Sequence, residues 1–288
     1  MTDTVQRQAP PPVPVSLEPR PQRVVQEMVA DSIALIGRHM KHIARTPEKL
    51  IGVTVMPIAF VLVFGYMFGS AMTVPGGGNY REFIMAGIFV QMMLAGIGTT
   101  AVGVSTDLEN GLVERFRSLP MSQVAVLVGR TVSDLVLTIM SCVGITVVGL
   151  MIGWRAHNGV WKTLAAFGLI LLLGYSVAWV GALIGLVVRN AEAVSSIAAF
   201  ITMPLAFLSS AFFPLTNLPS WLRTIAEWNP ISSVVSACRE LWGNPTAVTD
   251  ESATVMQNPL PYAVIGPLLV LAITIPLASR AYRRAVSN

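Results

Sequence analysis

Charge is scarce in this chain: 12% of its 288 residues are Asp, Glu, Lys or Arg, about half the share of an ordinary soluble domain. Hydrophobic residues make up 53% and mean hydropathy is +0.66. A large soluble core does not account for this, because the apolar stretches run for the roughly 20 residues that cross a bilayer as one helix. Cysteine is nearly absent too. Cys142 and Cys238 lie in different settings, which argues against a disulfide framework or a metal site. None of the three lysines, Lys41, Lys49 and Lys162, follows a glycine. The phosphate-cradling loop of nucleotide-hydrolysing proteins is therefore missing. His39, His42 and His157 show no metal-ligand spacing, so no cofactor or metal is expected on this chain. The N-terminus lacks the apolar core of a signal peptide, and cleavage is not expected.

What is present is a series of apolar runs, at 50–72, 83–106, 131–153, 163–188, 194–213 and 262–279. No period-2 alternation supports a barrel, and in lipid the backbone must satisfy itself, which leaves helices. The expected fold is all-α: a polytopic membrane protein with six transmembrane helices. Glycines are frequent in the second and fourth runs, including Gly87, Gly103, Gly181 and Gly185, and suit close helix–helix approach.

Lysine and arginine set the orientation. With the N-terminus inside, Arg7, Arg20, Arg23, Arg38, Lys41, Arg45, Lys49, Arg115, Arg117, Arg130, Arg189, Arg280, Arg283 and Arg284 fall on the inner side. Only Arg81, Arg155, Lys162, Arg223 and Arg239 fall outside. The positive-inside rule then places both termini in the cytoplasm. Trp154, Trp161, Trp221, Trp228 and Trp242 mark the outer boundary. The pI near 9.4 is thus a topology signal and no nucleic-acid partner is expected.

Residues 1–22 are rich in proline and read as a disordered cytoplasmic lead. Residues 23–49 change pattern: Val25, Met28, Val29, Ile36, Met40 and Ile43 recur at helical steps. Arg38, Lys41 and Arg45 lie mainly on the opposite face, as in an amphipathic helix lying at the inner membrane interface beside lipid phosphates. Residues 50–279 form the six-span domain and 280–288 a basic cytoplasmic tail. Between spans five and six, Phe213-Pro214 ends a run and Ser220 is a plausible N-cap. Trp221, Leu222, Ile225 and Trp228 make one apolar face before Asn229-Pro230. Ile231, Val234, Val235, Cys238, Leu241 and Trp242 make a second, with Arg239 and Glu240 to the side. Two short half-buried outer helices are expected here. Ser209 and Ser210 offer hydroxyls that either line a path or bond their own helix. Asp134 is the one acid within a span, four residues from Arg130; the spacing suits a structural pair, with a proton-relay role as the alternative.

The densest charge lies at 107–120, three acids and two arginines between two apolar runs. Acids precede arginines, which suits a short helix and its dipole, and the segment is a candidate contact for a partner in water. Its residues resemble the permease subunit of bacterial ATP-binding-cassette type-2 exporters, in particular the daunorubicin/doxorubicin-resistance type. The matching positions are Asp107-Leu108-Glu109-Asn110-Gly111, Glu114-Arg115 and Leu119-Pro120. Asp107 stands where that family has glutamate and Leu108 where it has arginine. Phe213-Pro214, Leu218 to Leu222, Asn229-Pro230 and Arg239 give a second match. The resemblance covers roughly 23–284.

The resemblance implies a half-transporter, with ATP and Mg bound by a separate cytoplasmic ATPase subunit and a second permease, in a homodimer by preference, completing the path. Asp107, Glu109, Gly111, Glu114, Arg115, Leu119 and Pro120 would dock the ATPase. Pro214, Trp221, Trp228, Pro230 and Arg239 would belong to helices that help close the outer side. The implied cargo is a hydrophobic or amphipathic drug, antibiotic or lipid, and the implied location the bacterial inner membrane, in contact with lipid. Two alternatives stand beside it. A polysaccharide or teichoic-acid exporter permease shares the fold. An ion-coupled secondary transporter would want buried carboxylates in several spans, where only Asp134 qualifies.

Overall fold

A computed structural model describes residues 55, 58–69, 74, 77–109, 123–188, 190–249 and 252–287. The lead at 1–22, the interfacial helix at 23–49 and most of the charged segment 107–120 lie outside the described residues. Helices account for the architecture, with no strand among the described residues. In order they are α1 (Ile58–Phe68), α2 (Tyr80–Glu109), α3 (Gln123–Met151), α4 (Val160–Val187) and α5 (Ala191–Phe207), followed by α6 (Ser220–Trp228), α7 (Pro230–Trp242), α8 (Thr254–Gln257) and α9 (Pro259–Ser287). Within α1, Val63–Phe68 is π-helical. Among the described residues four of these helices, α2, α3, α4 and α9, are long and apolar enough to cross a membrane.

The central helix is α2. Of its most apolar window 67% is buried, against 22% for α3 and for α9. It packs chiefly on α4, then on α5, and α9 covers the far side of α4. Lipid is as apolar as a leucine side chain, so burial gives little drive to helix association there, and close backbone approach matters instead. The sequence provides for it. Gly181 and Gly185 of α4 face Ile97 O and Ala101 O with no room for a Cβ. A leucine at either position would force α2 and α4 apart.

The helix starts are legible locally. Asn190 Oδ1 accepts from the backbone N–H of Glu192 and Ala193 at the head of α5. Asn229 does the same for Ile231 at the head of α7, with Pro230 at the first turn. Ser220, expected as a cap, is instead the first residue of α6 and makes no side-chain cap bond; Pro219 precedes it.

Three further expectations change. The fifth run ends as a helix at Phe207, not Phe213, and at 17 residues α5 is shorter than the four long helices. Residues 208–214 turn back into the bundle, because their carbonyls find tertiary donors there. The second short helix, α7, is buried along nearly its whole length rather than half-buried: α9, α4 and α2 enclose it. The tryptophans also divide. Trp161, Trp221 and Trp228 are exposed, whereas Trp154 and Trp242 are core residues. Their rings meet at 5.0 Å between centroids and pack with Phe89 and Phe167. Trp154 Nε1 donates to Asn244 Oδ1 at 2.8 Å, which gives its polar edge a partner inside the protein.

Candidate functional site

Charged and polar side chains gather at the two ends of the bundle. At one end, α2 finishes and α3 begins. Arg130 Nη1 of α3 donates to Asp107 Oδ2 of α2 at 2.7 Å. One turn along α3, Asp134 Oδ2 lies 3.6 Å from Arg130 Nε, near enough to attract but too far for a hydrogen bond. That oxygen accepts instead from Thr100 Oγ1 at 2.7 Å. The Arg130 side chain runs over Gly103, where any Cβ would collide with the guanidinium. Asp134 is therefore paired, as its spacing from Arg130 suggests. Glu109 is exposed at the last residue of α2. Gly111, Glu114, Arg115, Leu119 and Pro120 lie outside the described residues, as do Arg38, Lys41 and Arg45.

At the other end, the turn after α5 meets the head of α2 and the length of α7. Arg239, placed to the side by its sequence pattern, is 1% exposed. Its Nε donates to Phe83 O at 2.9 Å, and Nη2 donates to Ser210 O at 2.8 Å and Ala211 O at 3.1 Å. Its guanidinium also sits over the Phe83 ring, 3.5 Å from the centroid. No carboxylate among the described residues forms an ion pair with it. Burial holds the Arg239 pKa down, to about 9, which still leaves it protonated at neutral pH. Isolating a charge from water costs several kcal/mol. Three carbonyl acceptors and a desolvated cation–π contact of about 2 kcal/mol offset that.

The same turn is held from three more sides. Tyr80 Oη donates to Phe212 O at 2.9 Å. Asn229 Nδ2 donates to Leu205 O and Leu208 O, the open carbonyls at the end of α5. Ser210 N donates to Ser232 Oγ at 2.9 Å, and Ser232 Oγ donates to Ala226 O at 2.6 Å. Ser209 Oγ donates to Ala206 O and accepts from Ala211 N. Ser209 and Ser210 are both buried. Pro214 is partly buried, whereas Pro230, Trp221 and Trp228 are exposed.

The sequence reading missed Tyr80, Phe83, Thr100, the place of Gly103 beneath Arg130 and the depth of Arg239. One signal was present for Arg239. Val235, Arg239 and Trp242 follow at steps of four and three, which puts the arginine on the apolar face of α7. Among the described residues no group of three His, Cys, Asp or Glu comes together to hold a metal.

The comparisons with known proteins agree with this arrangement of long apolar helices. The sequence profile described as ABC-2 type transporter matches residues 31–241. A daunorubicin resistance ABC transporter permease of Streptomyces coeruleorubidus is 30% identical over 249 residues, 86% of this chain and 87% of that protein. A probable doxorubicin resistance ABC transporter permease of Mycobacterium tuberculosis is 23% identical, covering 77% of this chain and 80% of its own. A probable multidrug ABC transporter permease of Escherichia coli is 24% identical over 72% of this chain and 54% of its own length. The chain belongs to the ABC-2 type transporter family and is a multi-pass membrane permease of that family.

Proposed function

We propose that this chain is the transmembrane permease subunit of an exporter that moves hydrophobic or amphipathic drugs, antibiotics or lipids, with ATP hydrolysed on a separate ATPase subunit. The observation that carries the reading is the family match over 31–241 together with 30% identity to a daunorubicin resistance permease across most of both chains. In this reading the chain spans the bacterial inner membrane six times, α1 and α5 belonging to spans one and five. Both termini are cytoplasmic. The end where Asp107 meets Arg130 faces the cytoplasm, and the end built on Arg239 faces out. The segment from Asp107 to Pro120, with the interfacial helix carrying Arg38, Lys41 and Arg45, docks the ATPase, and a second copy of the permease completes the path. The exposed apolar faces of α3, α5 and α9 suit lipid and that second copy.

The test uses inside-out vesicles holding this chain and its partner ATPase, with daunorubicin as the probe. ATP-dependent uptake that needs both subunits is the expected result. Uptake that ignores ATP and collapses with a protonophore would replace this reading with an ion-coupled transporter. Orientation is checked by labelling. Lys162 and Arg283 are exposed at opposite ends of the bundle, and the native thiols Cys142 and Cys238 are buried. In intact cells a membrane-impermeant maleimide should label Lys162→Cys and spare Arg283→Cys. The reverse pattern would invert the topology.

A further inference from the structure

We infer that Arg130 is a positioning residue: a releasable clamp that ties the end of α2 to the start of α3, so that motion delivered to the chain between them moves both helices together. The inference rests on the proposed reading of that chain segment as the ATPase contact.

Four observations carry it. First, α2 and α3 pack loosely on one another, while α2 packs tightly on α4. Leu127 and Val128 share an apolar cluster with Val104 and Leu108 of α2, and Thr100 of α2 donates to Asp134, so the polar ties between the two helices gather on Arg130 and Asp134. Second, Arg130 and Asp134 are the only charged residues of α3. Charge inside an apolar helix is expensive and is kept where it has a task. Third, the α2 surface is cut to fit. Gly103 leaves the space through which the guanidinium reaches Asp107, and a Cβ there would collide with it. Fourth, the pair can open without stranding a charge. Arg130 Nε has no hydrogen-bond partner, and Asp134 Oδ2, which also accepts from Thr100 of α2, already lies 3.6 Å from it. When Asp107 draws away, the guanidinium closes on Asp134 within its own helix. A tie with a second acid in reserve holds the helices in one state and releases them in another, which a fully buried pair would not do.

The experiment uses the permease with its ATPase in proteoliposomes. It reads four quantities: co-purification of the ATPase, ATP hydrolysis, daunorubicin transported per ATP, and thermal protection of Cys142 and Cys238 from a thiol dye. Arg130→Gln removes the tie, and Gly103→Ala displaces it without changing any charge. Both should keep the ATPase bound, keep hydrolysis within twofold and keep the thiols protected, while transport per ATP falls about tenfold. Adding Gly103→Ala to Arg130→Gln should cause no further loss, because the two changes act on one contact. Asp134→Asn leaves the Asp107 pair intact and should cost less than threefold. Unchanged transport per ATP in Arg130→Gln and Gly103→Ala would overturn the clamp, as would losses that multiply in the double variant. Failure of the unaltered permease to bind the ATPase is a separate outcome. It would overturn the functional reading and the clamp with it.

Discussion

Two arginines, at opposite ends of the same bundle, are held in opposite ways. Arg239 is sealed among three backbone carbonyls and the face of Phe83, with 1% of its surface exposed. Arg130 is held by carboxylates on two helices, one of them, Asp107, 41% exposed. Carbonyls are fixed by the fold, and a cation that satisfies three of them stays where the backbone puts it. Carboxylates sit on side chains that turn, and solvent can replace either partner. The difference separates a staple from a joint. Arg239 fixes the turn after α5 to α2 and α7, whereas Arg130 joins α2 to α3 through a partly exposed ion pair.

The largest expected effect follows from removing the staple. Arg239→Ala leaves Ser210 O, Ala211 O and Phe83 O without the buried donor, at about 1–3 kcal/mol for a stranded group, and opens a cavity against Phe83. A loss of about 3 kcal/mol in all, on the order of 10 °C in Tm for a chain of this size, should appear in thermal unfolding. The readout is intrinsic, since Cys142 and Cys238 become reactive only as the bundle opens. Arg239→Lys retains the charge without the planar fork and should recover less than half of the loss. A shift of less than 2 °C for Arg239→Ala would show that the turn holds itself and would erase the contrast with Arg130.

Much of this was legible in the sequence, and the failures share a cause. Long uncharged runs announced α2, α3, α4 and α9, and Asn229-Pro230 marked the head of α7, because these are local signals. The expected end of the fifth run at Phe213 was wrong because apolar residues read alike in a span and in a turn packed inside one. Arg239 was assigned to the side for the same reason. Its carbonyl partners lie 28, 29 and 156 residues away, and helical spacing says nothing of them. Trp154 and Trp242 looked like boundary anchors by position, and only tertiary packing reveals the aromatic cluster they form. Arg130 and Asp134 were legible as a pair because four residues on one helix is a local spacing, whereas Asp107 and Gly103 enter across helices.

A smaller effect probes the same end as Arg239. Tyr80→Phe removes one hydroxyl donor to Phe212 O and little volume. A buried neutral hydrogen bond contributes about 1 kcal/mol, so Tm should fall by roughly 3 °C, well short of Arg239→Ala. Combined with Arg239→Ala, the second loss should be smaller than it is alone, because both residues hold one turn and neighbours that share a task are not additive. Full additivity would mean that the turn contains two independent anchors.

The smallest effect divides the two arginines most cleanly, because salt reaches only one of them. Asp107 is partly solvated, and a partly exposed ion pair contributes about 0.2–1 kcal/mol to stability. At 1 M salt the screening length shrinks to about 3 Å. The Tm loss from Asp107→Asn, about 2 °C at low ionic strength, should therefore fade to nothing as salt is raised. The loss from Arg239→Ala should not move, since its contacts are to buried carbonyls and a buried ring that mobile ions do not reach. Measured together, the two variants give a salt-sensitive and a salt-blind loss from the same chain under one readout. A salt-sensitive Arg239 effect would mean that water enters its site, and the staple would then be a second joint.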